Sequence, residues 1–175
     1  VITGTLRAGR NWQSLTDNRI GFGFDVKVNK FLTLTPSYLY RSEQPSPGRY
    51  VTESRYRIAA TLEKKFSRFT LRDRNLIEYR DRYNGAANST RYRNRINFSI
   101  PVTGNKKELF TPFIQNEAYY DFSAKAWSRN EFAVGISKKF TGNFSADFFY
   151  LYRRDRPVTF KNVNVVGVNL KFRLD

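Results

Sequence analysis

The sequence predicts an all-β chain: an antiparallel, up-and-down transmembrane β-barrel of about ten strands, with short periplasmic turns and longer outer loops. Three observations predict it. Apolar and polar residues alternate with period 2 through almost the whole chain, and no stretch has convincing helical periodicity. Several alternating segments are about 12 to 15 residues long, whereas soluble sheets use about five or six residues and a tilted membrane-crossing strand needs about 9–11. Aromatic residues, 17% of the chain, gather toward the two ends of these segments.

The segments follow in order. Residues 1–8 can supply a first strand; then come 17–28, 31–42, 50–63, 67–83, 89–101, 110–122, 127–140, 143–155 and 162–174. Tight connections join 28–31, 64–67 and 140–143, each carrying a Lys-Phe pair beside it (Lys30-Phe31, Lys65-Phe66, Lys139-Phe140). Longer or more polar connections lie at 9–16, 43–49, 84–88, 123–126 and 156–161, all on the other side. The link 102–109 breaks this rule, being long on the tight side. An edge strand in lipid would leave amides unsatisfied, so an even set of ten is expected to close on itself. Its amphipathic last strand, with Phe172 near the end, fits that closure, although Arg173, Leu174 and Asp175 follow the Phe.

The aromatics sort by end. Phe31, Phe66, Phe140 and Phe172 fall at the tight turns, with Phe69, Phe110 and Phe144 near them. Tyr40, Tyr79, Tyr120, Trp127 and Tyr150 fall nearer the loops, as do Tyr38, Tyr83, Tyr92, Tyr119 and Tyr152. Aliphatics such as Ile58, Ile77, Ile96, Val134 and Val168 lie between. Amphipathic rings settle at lipid headgroups, so two such girdles around an apolar band suit a membrane wall.

Composition bounds the rest. The 175 residues make a single domain, 1–175, and carry 31 Lys plus Arg against 15 Asp plus Glu, a net charge of +16. That excess attracts anions: lipid phosphates, acidic solutes or nucleic acid. Cys and His are absent, which removes disulfides, thiolate metal sites and the commonest general base; no cofactor and no metal are expected. No run of about 18 apolar residues exists, so no helix is expected to cross a membrane. Val1 is preceded by no apolar leader, and the chain is expected to be a mature or trimmed form without its signal peptide.

Residues 67–100 organise the charge. In a strand successive side chains point to opposite faces, so Arg72, Arg74, Glu78, Arg80 and Arg82 share one face of the first strand. Phe69, Leu71, Ile77 and Tyr79 share the other, together with Asp73, Asn75 and Asp81. After a turn at 84–88, Arg91, Arg93 and Arg95 alternate with Tyr92, Asn94 and Ile96. With the aliphatics toward lipid, Arg55, Arg57, Arg72, Arg74, Arg80, Arg93, Arg95 and Arg129 point into the lumen. Glu53, Glu78, Glu117 and Glu131 point the same way, with Gln115 and Asn97 between them. Like charges at close quarters need partners, so the arginines are expected to fork onto these carboxylates. Asp73 and Asn75 on the lipid face imply a protein partner, a local bulge or a polar rim.

The ladders RYR (55–57), RDRNLIEYR (72–80) and RYRNR (91–95), followed by QNEAYY (115–120) and RNEFAVGI (129–136), resemble a domain-of-unknown-function family of outer-membrane proteins from Gram-negative bacteria. The resemblance covers roughly residues 50–174. It implies a small β-barrel and carries over no activity.

Three functions fit this reading. The first is a structural or accessory envelope protein of the bacterial outer membrane, its lumen filled by an Arg/Glu network, with membrane lipid, lipopolysaccharide phosphates and other envelope proteins as partners. The second is a narrow passage favouring anions. The third is a soluble basic β-domain binding nucleic acid, which would need Arg and Tyr on one face; here they alternate across opposite faces, so nucleic acid is not an expected partner. Catalysis is not expected. Glu78 with Glu117 or Glu131 could pair as acid and base, but arginines all around would leave neither holding the proton.

Overall fold

The computed structural model describes residues 2–9, 14–83, 87–105, 107–156 and 162–172, with side chains described from Asp17 onward except at 45 and 172. Ten strands form one meandering antiparallel path, each hydrogen-bonded to the next in sequence. They are β1 (Ile2–Gly9), β2 (Ser14–Gly23), β4 (Leu32–Ser46), β5 (Arg49–Lys65), β6 (Thr70–Arg82), β7 (Ser89–Ser99), β9 (Lys107–Asp121), β10 (Ala126–Lys139), β11 (Phe144–Asp155) and β12 (Asn162–Phe172). Two short strands lie off that path: β3 (Val26–Lys27) pairs with β4, and β8 (Val102–Gly104) pairs with β9. The path carries ten strands, as the alternation predicts, and β1 is indeed the first of them.

Closure differs from expectation. Among the described residues no ladder joins β1 to β12, so the sheet is an open, curled half-barrel. Its curvature is read from burial. The inward carboxylates Glu53, Glu78 and Glu117 are at most 1% exposed, while outward Ile58, Ile77, Ile96 and Ile114 are about half exposed. Leu39, Ala59, Leu76, Tyr119 and Ala133 are the buried apolar side chains of the concave face.

The connections correct the sequence reading in three places. Residues 43–49 form no long loop: β4 and β5 pair until Ser46 meets Arg49, leaving a two-residue Pro47-Gly48 turn. Gly48 sits at φ 76°, which glycine adopts without the penalty of a side chain, and Pro47 presets the preceding φ. The long link 102–109 folds into the small β8–β9 hairpin. The segment 17–28 splits into β2 and β3. Gly23 lies against Ser37 and Pro36 so closely that an added Cβ would come 2.6 Å from Ser37 Cβ. Pro36 has no N–H to donate, and its carbonyl accepts from Phe24 N at 3.3 Å, where the two strands part.

One irregularity sets which way side chains face. In the β9–β10 ladder Trp127 opposes Tyr120 and Arg129 opposes Tyr119, so Ser128 is an extra residue, a β-bulge. Strict alternation would put Trp127 and Arg129 on one face. The bulge turns Trp127 outward and Arg129 inward, the orientation expected of each.

Candidate functional site: the charged inner wall

Register brings the predicted lumen residues to one face. Arg57 opposes Glu78, Arg55 opposes Arg80, and Glu53 opposes Arg82 between β5 and β6. Arg74 opposes Arg95 on β7, Arg72 opposes Asn97, and Arg95 in turn opposes Glu117 on β9. Glu117 opposes Glu131 on β10, and Arg129 opposes both Tyr119 and Asp155. All eleven predicted lumen positions, Arg55, Arg57, Arg72, Arg74, Glu78, Arg80, Arg93, Arg95, Glu117, Arg129 and Glu131, therefore lie on the concave wall.

Most of them join one chain of contacts that crosses the sheet. Asp17 on β2 accepts from Arg19 and, at 3.0 Å, from Arg41 on β4. Arg41 also reaches Glu43 at 2.7 Å and Glu53 at 3.2 Å. Glu53 accepts from Arg55 (Nε at 3.0 Å) and from Arg80 at 2.7 Å, with Arg82 at 3.6 Å. Arg55 lies 3.6 Å from Glu78, which also faces Arg91 at 3.9 Å and Arg93 at 3.5 Å. Arg93 and Arg95 both close on Glu117 at 2.6 Å. Tyr119 carries the chain to β10: its hydroxyl accepts from Arg93 at 3.2 Å and donates to Glu131 at 2.8 Å. Arg129 continues it, 3.7 Å from Glu131 and 2.5 Å from Asp155, which Arg153 also binds. Arg91, Arg93 and Arg129 all lie over the Tyr119 ring, Arg93 nearest at 4.6 Å.

Four residues differ from the rest. Glu78 is fully buried, and its oxygens have no direct hydrogen bond; three guanidiniums at ion-pair distance hold it. Arg57 and Arg74 have no carboxylate within ion-pair distance among the described residues, and Arg57 Nε is a buried donor without an acceptor there. Arg72 is set apart near the tight-turn end, half exposed and, among the described residues, ion-paired only with Glu63.

Sequence reasoning missed Tyr119 as a member of this wall, assigning it to the outer aromatics; it faces inward and is 5% exposed. It also left out Asp17, Arg41, Asp155 and Arg153, whose charges lie on segments already read as strands, so their parity was the available signal.

The predicted outer aromatics divide into two groups. Phe31, Phe66 and Phe140 are exposed beside the tight turns; Lys30 Nζ lies 4.9 Å from the Phe31 ring, and Phe140 stacks on Phe144. Tyr40, Tyr79 and Trp127 are exposed outward, and Tyr120 packs edge-on against Trp127 with ring centres 5.4 Å apart. Tyr150 lies mid-strand between Val134 and Val166 and donates to Asn164, so it belongs to the apolar band and not to a rim. The Phe172 side chain lies outside the described residues. Asp73 and Asn75 involve no bulge, because the β6–β7 register is continuous. Asn94 donates to both, Asn75 donates to Asp73, and Tyr92 donates to Asn75, so the outward polar group satisfies itself.

A curled meander with charges inside and apolar residues outside has a match among sequence families. The chain belongs to the DUF2490 family. That family, described as protein of unknown function, matches residues 2–164. Among solved structures the DUF2490 chain is similar to the NanC porin, at 13% identity and a TM-score of 0.58, covering 90% of this chain and 79% of that one. It is also similar to LpxR from Salmonella typhimurium, at 8% identity and a TM-score of 0.55, covering 99% and 82%. At such identities the likeness is one of fold: that of outer-membrane β-barrels. No curated protein sequence matches.

Proposed function

We propose that this DUF2490 chain is an outer-membrane β-barrel protein of the Gram-negative envelope with a structural or accessory role and no catalytic one. The observation that carries the proposal is the contact chain from Asp17 on β2 to Arg153 on β11, which cross-braces the inner wall. The outward aliphatics suit lipid, and every strand of the path between β1 and β12 pairs with a neighbour on both sides. Interior carboxylates committed to several arginines each are poorly placed to exchange protons with a substrate. Membrane lipid is the proposed surrounding, with other envelope proteins as partners. Fractionation and reconstitution test this: extraction only by detergent and a folded band that shifts on boiling are expected. A soluble monomer without detergent would overturn it.

A second reading is an anion-favouring passage. Arg57 and Arg74, with no carboxylate at ion-pair distance among the described residues, leave positive potential where β5, β6 and β7 carry ten arginines against Glu53, Glu63 and Glu78. Planar-bilayer recording in a KCl gradient separates the readings. A silent membrane supports the braced wall; anion-selective steps that weaken in Arg74→Ala support the passage. Salt-sensitive oligonucleotide binding by soluble protein would favour the nucleic-acid alternative instead.

A further inference from the structure

The outward wall is not uniformly apolar. Ala118 on β9 is small, and its row continues through Asn130 on β10 to Arg154 on β11. Above it opens a cleft of about 440 Å³, bordered by Trp127, Asn130, Tyr152, Arg154 and Arg156. The bulge at Ser128 turns Trp127 toward this side, and the Ser128 carbonyl accepts from Arg156 N at 2.8 Å, fixing where the Arg156 backbone leaves β11. Asn130 is held by its own bond to Asn116 at 2.7 Å. Arg154, Arg156, Trp127 and Tyr152 are all exposed. They stand at the loop end of β10 and β11, since β10 begins at Ala126 and β11 ends at Asp155.

Cations and ring edges together, outside the wall and at its rim, have a natural counterpart. In a membrane this height is that of the headgroups, where Trp and Tyr rings settle. A guanidinium offers a planar fork that fits a phosphate, and basic residues there are drawn to anionic lipid. A second copy of this chain is a poor occupant, because a two-fold contact through the cleft would bring four arginines together. We infer that this cleft docks the phosphorylated headgroup of a membrane lipid, with Arg154 and Arg156 on the phosphate, Trp127 and Tyr152 beside the sugar or glycerol, and Ala118 as the floor. The inference rests on the membrane reading and names a lipid partner for it.

The test is native mass spectrometry of protein released from phosphatidylcholine nanodiscs doped with lipid A, a phosphorylated glycolipid. The wild type is expected to keep lipid A bound. The Arg154→Ser/Arg156→Ser variant is expected to lose about tenfold of that retention, and Arg154→Lys/Arg156→Lys less, because charge remains without the fork. The inner-wall variant Arg74→Ala should retain lipid A like the wild type. A gel shift on boiling reports that each variant is folded. Equal retention by wild type and the double Ser variant would overturn the site while leaving the barrel standing. Displacement of lipid A by soluble inorganic phosphate would overturn the lipid as the occupant and make the cleft a site for free phosphate. Failure of the wild type to enter nanodiscs would instead overturn the membrane reading, and the site with it.

Discussion

Two regions of the same inner wall are built from opposite materials. Across β5, β6, β7 and β9 most of the inward charge is arginine, gathered around Glu53, Glu78 and Glu117. Across β10, β11 and β12 they include Ala133, Gly135, Phe149, Leu151, Val165 and Gly167. There the wall is filled by shape: an added Cβ at Gly167 would lie 2.5 Å from the Phe149 ring, and one at Gly135 would meet the Phe148 carbonyl and Phe149 Cβ. Aromatic rings over strand glycines are a known way to fill such gaps. The contrast teaches that facing the lumen does not dictate polarity. A concave wall can be closed by shared charge or by rings on glycine, provided neither leaves a bare polar group or a void.

The largest break should come from the ionic side. Glu53→Ala removes the carboxylate shared by Arg41, Arg55 and Arg80 and strands those guanidiniums. A loss of about 3–5 kcal/mol is expected, read from the denaturant midpoint in lipid vesicles. If the midpoint does not move, the contact chain is ornamental. Next comes the apolar side: Gly135→Ala should cost about 1–3 kcal/mol by overpacking, and Gly167→Ala less. The order follows because Gly135 would meet backbone, whereas Gly167 would meet a ring that can turn. Equal costs in the same assay would contradict this. Tyr119→Phe deletes the hydroxyl between Arg93 and Glu131. A loss of about 1 kcal/mol is expected, and a double-mutant cycle with Glu131→Gln should show coupling between the two positions. The smallest effect is predicted for Arg74→Ala, which among the described residues has no carboxylate at ion-pair distance and faces Arg95 across the ladder. Its midpoint should stay within about 0.5 kcal/mol of wild type, so a large loss would mean an ionic partnership the geometry does not contain.

Much of this was legible in the sequence, and unevenly so. The inward ladder on β5 to β9 followed from parity alone, because Arg and Glu at alternate positions leave only one face for charge. Parity could not say which arginine meets which carboxylate, since that depends on stagger between strands; Arg57 opposes Glu78 yet makes no ion pair with it. Tyr119 was hidden because an aromatic near a strand end fits a girdle as well as an inner wall. The long strands hid their own turns: Pro47-Gly48 reads as loop composition, but backbone pairing continues to its edges. Asp73 and Asn75 looked misplaced because their partners, Asn94 and Tyr92, come from the next strand.

Ser128 has a consequence that reaches beyond its own position. In a strand, inside and outside are written in a two-letter code with no punctuation, and one inserted residue shifts the reading frame of everything before it relative to everything after. The bulge confines such a shift to the first residues of β10. It lets Trp127 be read as wall and Arg129 as lumen within three residues. Deleting Ser128 would make Trp127 and Arg129 neighbours in a regular ladder and keep them on opposite faces. Pairing Ser128 with a residue inserted between Tyr119 and Tyr120 would instead put both on one face: either the indole would turn into the charged interior or the guanidinium would face lipid. The outer cleft and the inner contact chain share this one point of phase, so an insertion in β9 that pairs with Ser128 should disturb both faces of the wall together.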